Sequence, residues 1–515
     1  MSKGKLVAVC FVWLMLLSIG AVAWKVIFAP ARQSVELQKE QEQARQQEKA
    51  RRDKLEIAGA PSRYRHQINL HLDSFSGYAV IRSDTFSQEL ARRGIRLNLH
   101  DDGADYAARI RALQSGDAEL AVFTIDALIK TSAELGELPA TIVALVDETT
   151  GADAIVAYKS QIPNVDGLNS ADTRFVLTPN SPSETLARVV MSRFQLNHLT
   201  ENPFIEARDA GDVFERYKQA KPTEKFAYVL WQPYVSQMLK NPQTYVVIDS
   251  SHFPSTIVDV IVANRDFVLK NPDVVKEVVE SYLTSVYRYR DRQDMVQLVT
   301  QDAKATGSPL TSEEASKLVE GIWWKNTQEN LAHTGHLAGK SLPHIEDVIA
   351  NITDVLRSTG AIASDPTAGK PNYLYYAKVF EELQNFHPGT DREDVRSITL
   401  PALNDQQWEE LTEVGTARVP SLVFARGTDR LTERSRSVLD ELVGKLTTTR
   451  FYVLIRGNAS TVGDLEQNKL LAERRAQAAH KYLVEKGVDR NRMRASGGEP
   501  SGTTSVTFML GQLPY

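Results

Sequence analysis

The chain has 515 residues, 42% of them hydrophobic and 24% charged, a balance that describes globular domains rather than a disordered polymer and a length that allows more than one. A net charge of −5 argues against a nucleic-acid partner. The only cysteine, Cys10, excludes an intramolecular disulfide.

Leu6 to Trp24 is almost continuously apolar and follows Lys3 and Lys5. At ~1.5 Å per residue it is long enough for the ~30 Å hydrocarbon core of a bilayer. Residues 1–28 therefore read as a transmembrane anchor or a signal. Ala21-Val22-Ala23 suits signal peptidase, but apolar residues continue past Lys25 to Phe28, which favours the uncleaved anchor. The positive-inside rule then puts the amino terminus in the cytoplasm and the rest outside: a single-pass protein of the bacterial inner membrane with its bulk in the periplasm. The span holds no Asp or Glu, so no proton path is expected. Residues 29–62 contain a Gln/Glu/Lys/Arg-rich tract, Arg32 to Ile57, without Gly or Pro until Gly59 and Pro61. This predicts a polar helical spacer; Leu37, Leu55 and Ile57 are too few for a coiled-coil seam.

From residue 63 to 385 strand and helix patterns alternate. HLDSFSGYAV (His71 to Val80) is a strand running into a turn, and a helix ending near Arg93-Gly94 separates it from the strand Ile95 to Gly103. A second helix stops at Ser115-Gly116, and the strand Glu119 to Phe123 follows. Ligands of open α/β sheets bind beyond the carboxyl ends of the strands, where Ser74, Ser76, Thr124, Asp126 and Thr149 stand. Ile142 to Ser160 holds two apolar runs around the polar turn Asp147 to Asp153, either a surface hairpin or a ligand wall and crossover.

Ordered landmarks run through this part: Gly77-Tyr78, Ala112-Leu113-x-x-Gly116-x-x-Glu119, Gly151-Ala152-Asp153-Ala154-Ile155-Val156-Ala157, Val165-x-x-Leu168, Trp231-x-Pro233-Tyr234 and Asp249-Ser250. In that order they resemble the nitrate, sulfonate and taurine type of ABC-transporter substrate-binding proteins, from Arg65 to Leu383. The resemblance implies an α/β fold of two lobes joined by a hinge, closing on a small solute, with an ABC permease as partner. It adds Gly77, Tyr78 and Asp153 to the candidate ligand residues. Gln232 stands where the family commonly has an acidic residue, so the ligand's identity is not carried over.

The second lobe is expected from Thr173 to Tyr245. Its helix Asn180 to Phe194 starts at Ser181-Pro182-Ser183-Glu184, and a helix amino terminus favours an anion, so Ser181 and Ser183 are candidate oxyanion contacts beside their ordinary capping role. FAYVLW delivers Trp231 to the cleft end, either against the ligand or in the core. The expected solute is thus a small anion. Asp249 to Thr256 reads as the hinge return, Asn271 to Gln384 as helical bracing, and His333, His336 and His344 as loop residues, not a metal site.

Residues 386–418, with Pro388-Gly389 and Pro401, predict a linker. Residues 419–515 read as βαβαβ: PSLVFARGTDRLT, a helix, FYVLIRG, a long helix and SVTFML. Phe424 with Gly427-Thr428, Gly457, Asn468-x-x-Leu471-Ala472-x-x-Arg475-Ala476, Gly487-Val488 and Gly497-Gly498-Glu499 resemble the peptidoglycan-binding OmpA-like domain. The resemblance implies wall contacts at Ser460, Asn468, Leu471 and Arg475. Arg475 would fork a wall-peptide carboxylate. At Ser460 the family has an aspartate for the diaminopimelate ammonium, a pairing that a neutral hydroxyl cannot make, and the Asn-Arg-Arg motif before the last strand is missing.

No Gly-x-Ser-x-Gly elbow, His-Glu-x-x-His or Gly-x-x-x-x-Gly-Lys-Ser/Thr loop occurs, so no enzyme and no cofactor are expected. Two functions stay open: a tethered solute receptor for uptake or sensing, and a structural protein bridging membrane and wall whose receptor fold has lost its ligand.

Overall fold

A computed structural model of the chain describes residues 64–337, 342–390, 393–397, 399–500 and 505–514. The apolar run Leu6–Trp24 and the polar spacer Arg32–Ile57 lie outside the described residues. Among those described, no helix is long and apolar enough to cross a membrane.

The first lobe begins with β1 (His66–Leu72), β2 (Ile95–Asp101), β3 (Leu120–Thr124) and β4 (Ala140–Thr149). β1 lies parallel to β2 and β3, as the alternation with helices predicts. β3 and β4 are buried along their whole length, which is why they read as unbroken apolar runs rather than alternating ones. The chain then crosses to a second sheet made of β5 (Asp153–Tyr158), β6 (Arg174–Leu177), β7 (Phe204–Glu206), β8 (Phe226–Trp231) and β9 (Thr244–Asp249), in the order β7-β6-β8-β5-β9. β4 and β5 belong to different sheets, so the polar bend between them is a crossover, not a hairpin.

A second crossover, 250–257, returns the chain to β10 (Val258–Asn264), which runs antiparallel between β3 and β4. The remaining strand of this lobe, β11 (Ile322–Trp324), is an edge strand inside a stretch whose sequence reads as wholly helical. Its sheet order is β11-β4-β10-β3-β1-β2. Helices Pro272–Arg288 and Ile345–Ser358 brace this half, the latter touching both the lobe-one helix Ile125–Leu135 and the lobe-two helix Pro182–Arg193.

The carboxyl-terminal sheet differs from its expected βαβαβ order. Its first strand is β12 (Thr412–Thr416), inside the segment expected to be a linker, which also holds the helix Asp405–Glu410. Of PSLVFARGTDRLT only a single bridge, Phe424 to Leu431, forms. β13 (Tyr452–Ala459) pairs in parallel with β14 (Met493–Pro500), a strand not foreseen, and antiparallel with β15 (Val506–Gln512), giving the order β12-β15-β13-β14. This domain packs on lobe two and its return crossover. Phe451 is buried among Phe194, Phe253 and the His252 ring, stacked on it at 4.7 Å, while Arg418 bonds Asp166 at 3.1 Å and the Gln195 carbonyl at 3.0 Å.

Candidate ligand cleft

The carboxyl ends of β1, β3 and β4 and the first residues of β10 meet at one edge of the lobe-one sheet, facing β5 and the start of helix Pro182–Arg193. The register aligns Asp259 of β10 with Thr124 of β3 on one side and Asp147 of β4 on the other. Asp147 and Asp259 are fully buried neighbours, and Tyr78 donates its hydroxyl to Asp259. Neither Asp147 oxygen finds a donor among the described residues, so the pair is satisfied internally only when one carboxyl carries a proton. Burial first, then Asp259, pushes Asp147 well above the carboxylate range; burial also lifts Asp259, to about 7.

Two more buried carboxyls adjoin the pair. Asp126 takes a hydrogen bond from Thr185 of lobe two through one oxygen, while its other oxygen is unpartnered. Asp153 opens β5 with one oxygen unpartnered, and burial, then Asp259 and Asp126, raise it to about 8. The cations nearby are already neutralised. Arg109 reaches Asp102 at 2.7 Å and Asp73 at 3.1 Å, and Lys325 holds Glu148 at 2.6 Å, both members of that pair being essentially inaccessible. Burial alone would raise Glu148, but the Lys325 ammonium and the Ser255 N–H hold it below its ordinary range. His333, beside this pair, is held neutral by burial and by Lys325, its pKa lowered to about 3.

The sequence-derived residues divide accordingly. Tyr78, Asp126 and Asp153 belong to the buried cluster. Gly77 is its neighbour: a side chain there would meet the Phe75 ring and the Asp147 carboxylate at once, and its carbonyl accepts the Trp324 indole N–H at 2.8 Å. Thr124 spends its hydroxyl capping Ile125–Leu135, and Thr149 is buried at the β4 end. Ser74 is exposed and Ser76 half-buried in a short turn. Ser181 donates to the Thr178 carbonyl at 2.6 Å, whereas Ser183 is fully buried with its hydroxyl unpartnered. Trp231 pairs with Asp153 in register and packs against the lobe-two core. The helix start points to an anion, whereas the polar groups gathered at the strand ends are buried carboxyls. Asp73, Arg109, Asp259 and Lys325 were not singled out. A lone charge in an apolar strand, as in VDVIVAN, was the available signal.

The lobes touch directly. Lys130 meets Glu184 at 3.1 Å, and Arg188 donates to the Thr359 carbonyl at 2.9 Å. A small cavity lies there, lined by Asp126, Lys130, Ser181, Glu184 and Arg188 among others. A larger one, about 450 Å³ including space open to solvent, sits apart from the carboxyls, between lobe two and the carboxyl-terminal domain.

In that domain Gly457 lets the helix Leu465–Glu485 rest on β13; any side chain would collide with the Ala472 carbonyl. Asn468 braces the loop before the helix through the Ser460 and Val462 carbonyls at 3.1 and 2.9 Å. Arg475 lies over the Phe424 ring and donates Nε to the Thr428 carbonyl at 2.9 Å; its terminal nitrogens have no hydrogen bond or ion pair among the described residues. Leu471 is half-buried on the same helix.

Residues 423–505 match the OmpA family. No curated protein matches the chain. Among solved structures, similar ones include the periplasmic aliphatic sulphonate binding protein of Escherichia coli, at 16% identity over 61% of this chain and 99% of that one with a TM-score of 0.47. The zinc-bound ligand-binding component of an ABC-type import system from Staphylococcus aureus shares 15% identity over 62% and 99%, TM-score 0.45. The periplasmic nitrate-binding protein of Synechocystis PCC 6803 shares 13% over 62% and 88%, TM-score 0.45. The chain joins two α/β lobes, linked by two crossovers, to an OmpA domain.

Proposed function

We propose that the protein is a non-enzymatic solute receptor of the bacterial envelope, anchored in the inner membrane by Leu6–Trp24, with the two lobes in the periplasm and the OmpA domain directed at peptidoglycan. The observation that carries this reading is the cleft: two sheets joined by two crossovers, with unpartnered buried polar groups of both lobes where the strands end. Such groups are costly to desolvate, and a polar solute is a partner that offsets the cost. Lobe closure on a solute would then signal, or deliver it to an ABC permease. In the OmpA domain the terminal nitrogens of Arg475 suit a wall-peptide carboxylate.

Native mass spectrometry of the full chain released from detergent tests the receptor: a reproducible small-molecule adduct supports it. Protease added to spheroplasts tests the topology and should digest the carboxyl-terminal domain. A second reading, a structural bridge with a ligand-free receptor fold, draws support from the direct lobe-to-lobe bonds of Asp126 with Thr185 and Lys130 with Glu184. It predicts no adduct and no thermal response to any solute.

A further inference from the structure

The geometry points to a small organic cation, an amine or a quaternary ammonium, as the solute between the lobes, with Asp126, Asp147, Asp153 and Asp259 as its counter-charge. This rests on the receptor reading above and assigns the charge of the ligand. The first argument is a charge count. Arg109 is committed to Asp73 and Asp102, Lys325 to Glu148, and Lys130 and Arg188 share Glu184. Asp126, Asp147, Asp153 and Asp259 have no ion-pair partner among the described residues; three come from lobe one, at β4, β10 and a helix start, and Asp153 opens β5 of lobe two. One oxygen of Asp126 and one of Asp153 are acceptors without a donor, and Asp147 has none beyond the proton it shares with Asp259. A protonated amine supplies donors and positive charge together and a quaternary ammonium supplies the charge alone, whereas an inorganic anion supplies no positive charge.

A second and independent observation is the wall around the pair. Phe75 and Tyr78 stand edge to face with ring centres 5.3 Å apart, and Tyr78 bonds Asp259. Phe75 and Asp147 both close on Gly77, whose carbonyl fixes the Trp324 indole, and Trp324 is the register partner of Asp147. Aromatic rings beside carboxylates attract organic cations through their negative faces. From lobe two, the buried Ser183 hydroxyl, also unpartnered, adds an acceptor. A hard metal ion fits less well, since the described residues contain no group of three or more His, Cys, Asp or Glu arranged to hold one.

The test is titration calorimetry and thermal shift on the full chain in detergent at pH 8, at matched ionic strength. The probes are tetramethylammonium, choline and putrescine against nitrate, ethanesulfonate and phosphate. At least one cation should give saturable heat and raise the melting temperature. Asp147→Asn with Asp259→Asn should weaken it at least about tenfold, because the lost charge faces the ligand without water. Should that double variant fold poorly, Asp153→Asn, across the cleft, should weaken binding severalfold in a protein that melts no lower than the wild type. Saturable anion binding with no cation binding overturns the charge assignment and leaves the receptor reading standing. Silence toward all six overturns both. Cation binding indifferent to every substitution overturns the location.

Discussion

Asp153→Asn isolates the cost of the carboxyl cluster. Burial, with Asp259 and Asp126 nearby, lifts the Asp153 carboxyl from 3.8 to about 8. A carboxyl raised on folding keeps a proton that the unfolded chain releases. Its stabilising share is therefore complete below the unfolded value and is lost as pH rises through the folded one. His333, neutral in the fold and ordinarily titrating near 6.5, contributes a slope of opposite sign that is half its maximum at pH 6.5 and fades by about one unit above. Between pH 6.5 and 8 the wild type should lose up to about 2 kcal/mol through Asp153, at about 1.4 kcal/mol per pH unit. Side-chain relaxation and water entry bring this to the order of 1 kcal/mol, roughly 2–4 °C in melting temperature. Asp259, lifted to about 7, adds to the same trend. The amide cannot ionise, so the variant should melt higher than wild type at pH 8 and show a shallower decline. Calorimetric scans of both proteins from pH 6.5 to 8.5 at constant ionic strength decide it; parallel slopes would refute the assignment of a buried, proton-holding Asp153.

Lys325→Met should destabilise the lobes by about 3–5 kcal/mol because it strands the buried Glu148 charge, and adding Glu148→Gln should recover most of the loss; denaturant titration reads both. Phe451→Ala removes the ring packed between the carboxyl-terminal domain and the return crossover and should cost about 3–5 kcal/mol, with limited proteolysis cutting 386–418 sooner. In the full chain, Arg475→Ala should reduce retention on purified sacculi and Ser460→Asp should increase it; retention unchanged by both would move the domain's partner from wall to protein.

Much of the architecture was legible because periodicity reports burial directly. LAVFT and ATIVALVDET have no polar face, and such strands occur where helices cover both sides of a sheet. The errors arose where pairing is long-range. Thr412–Thr416 is short and polar enough to read as linker, yet its partner is the last strand of the chain, about a hundred residues away, and local propensity carries no trace of that edge. The gathering of the carboxyls is hidden in the sequence for a different reason. Ser181 and Ser183 at a helix start are a local signal for an anion, and locality is all that a capping motif reports. Asp126, Asp147, Asp153 and Asp259 lie up to 133 residues apart in sequence and are gathered only once β10 inserts between β3 and β4 and the chain crosses into β5. Asp126 and Asp153 are legible at strand ends and Asp147 in a polar turn, but Asp259 is a single acid in the apolar VDVIVAN. Buried ionisable groups are tolerated only with partners, so the gathering of four acids without an ion pair is information that appears only when the chain is folded.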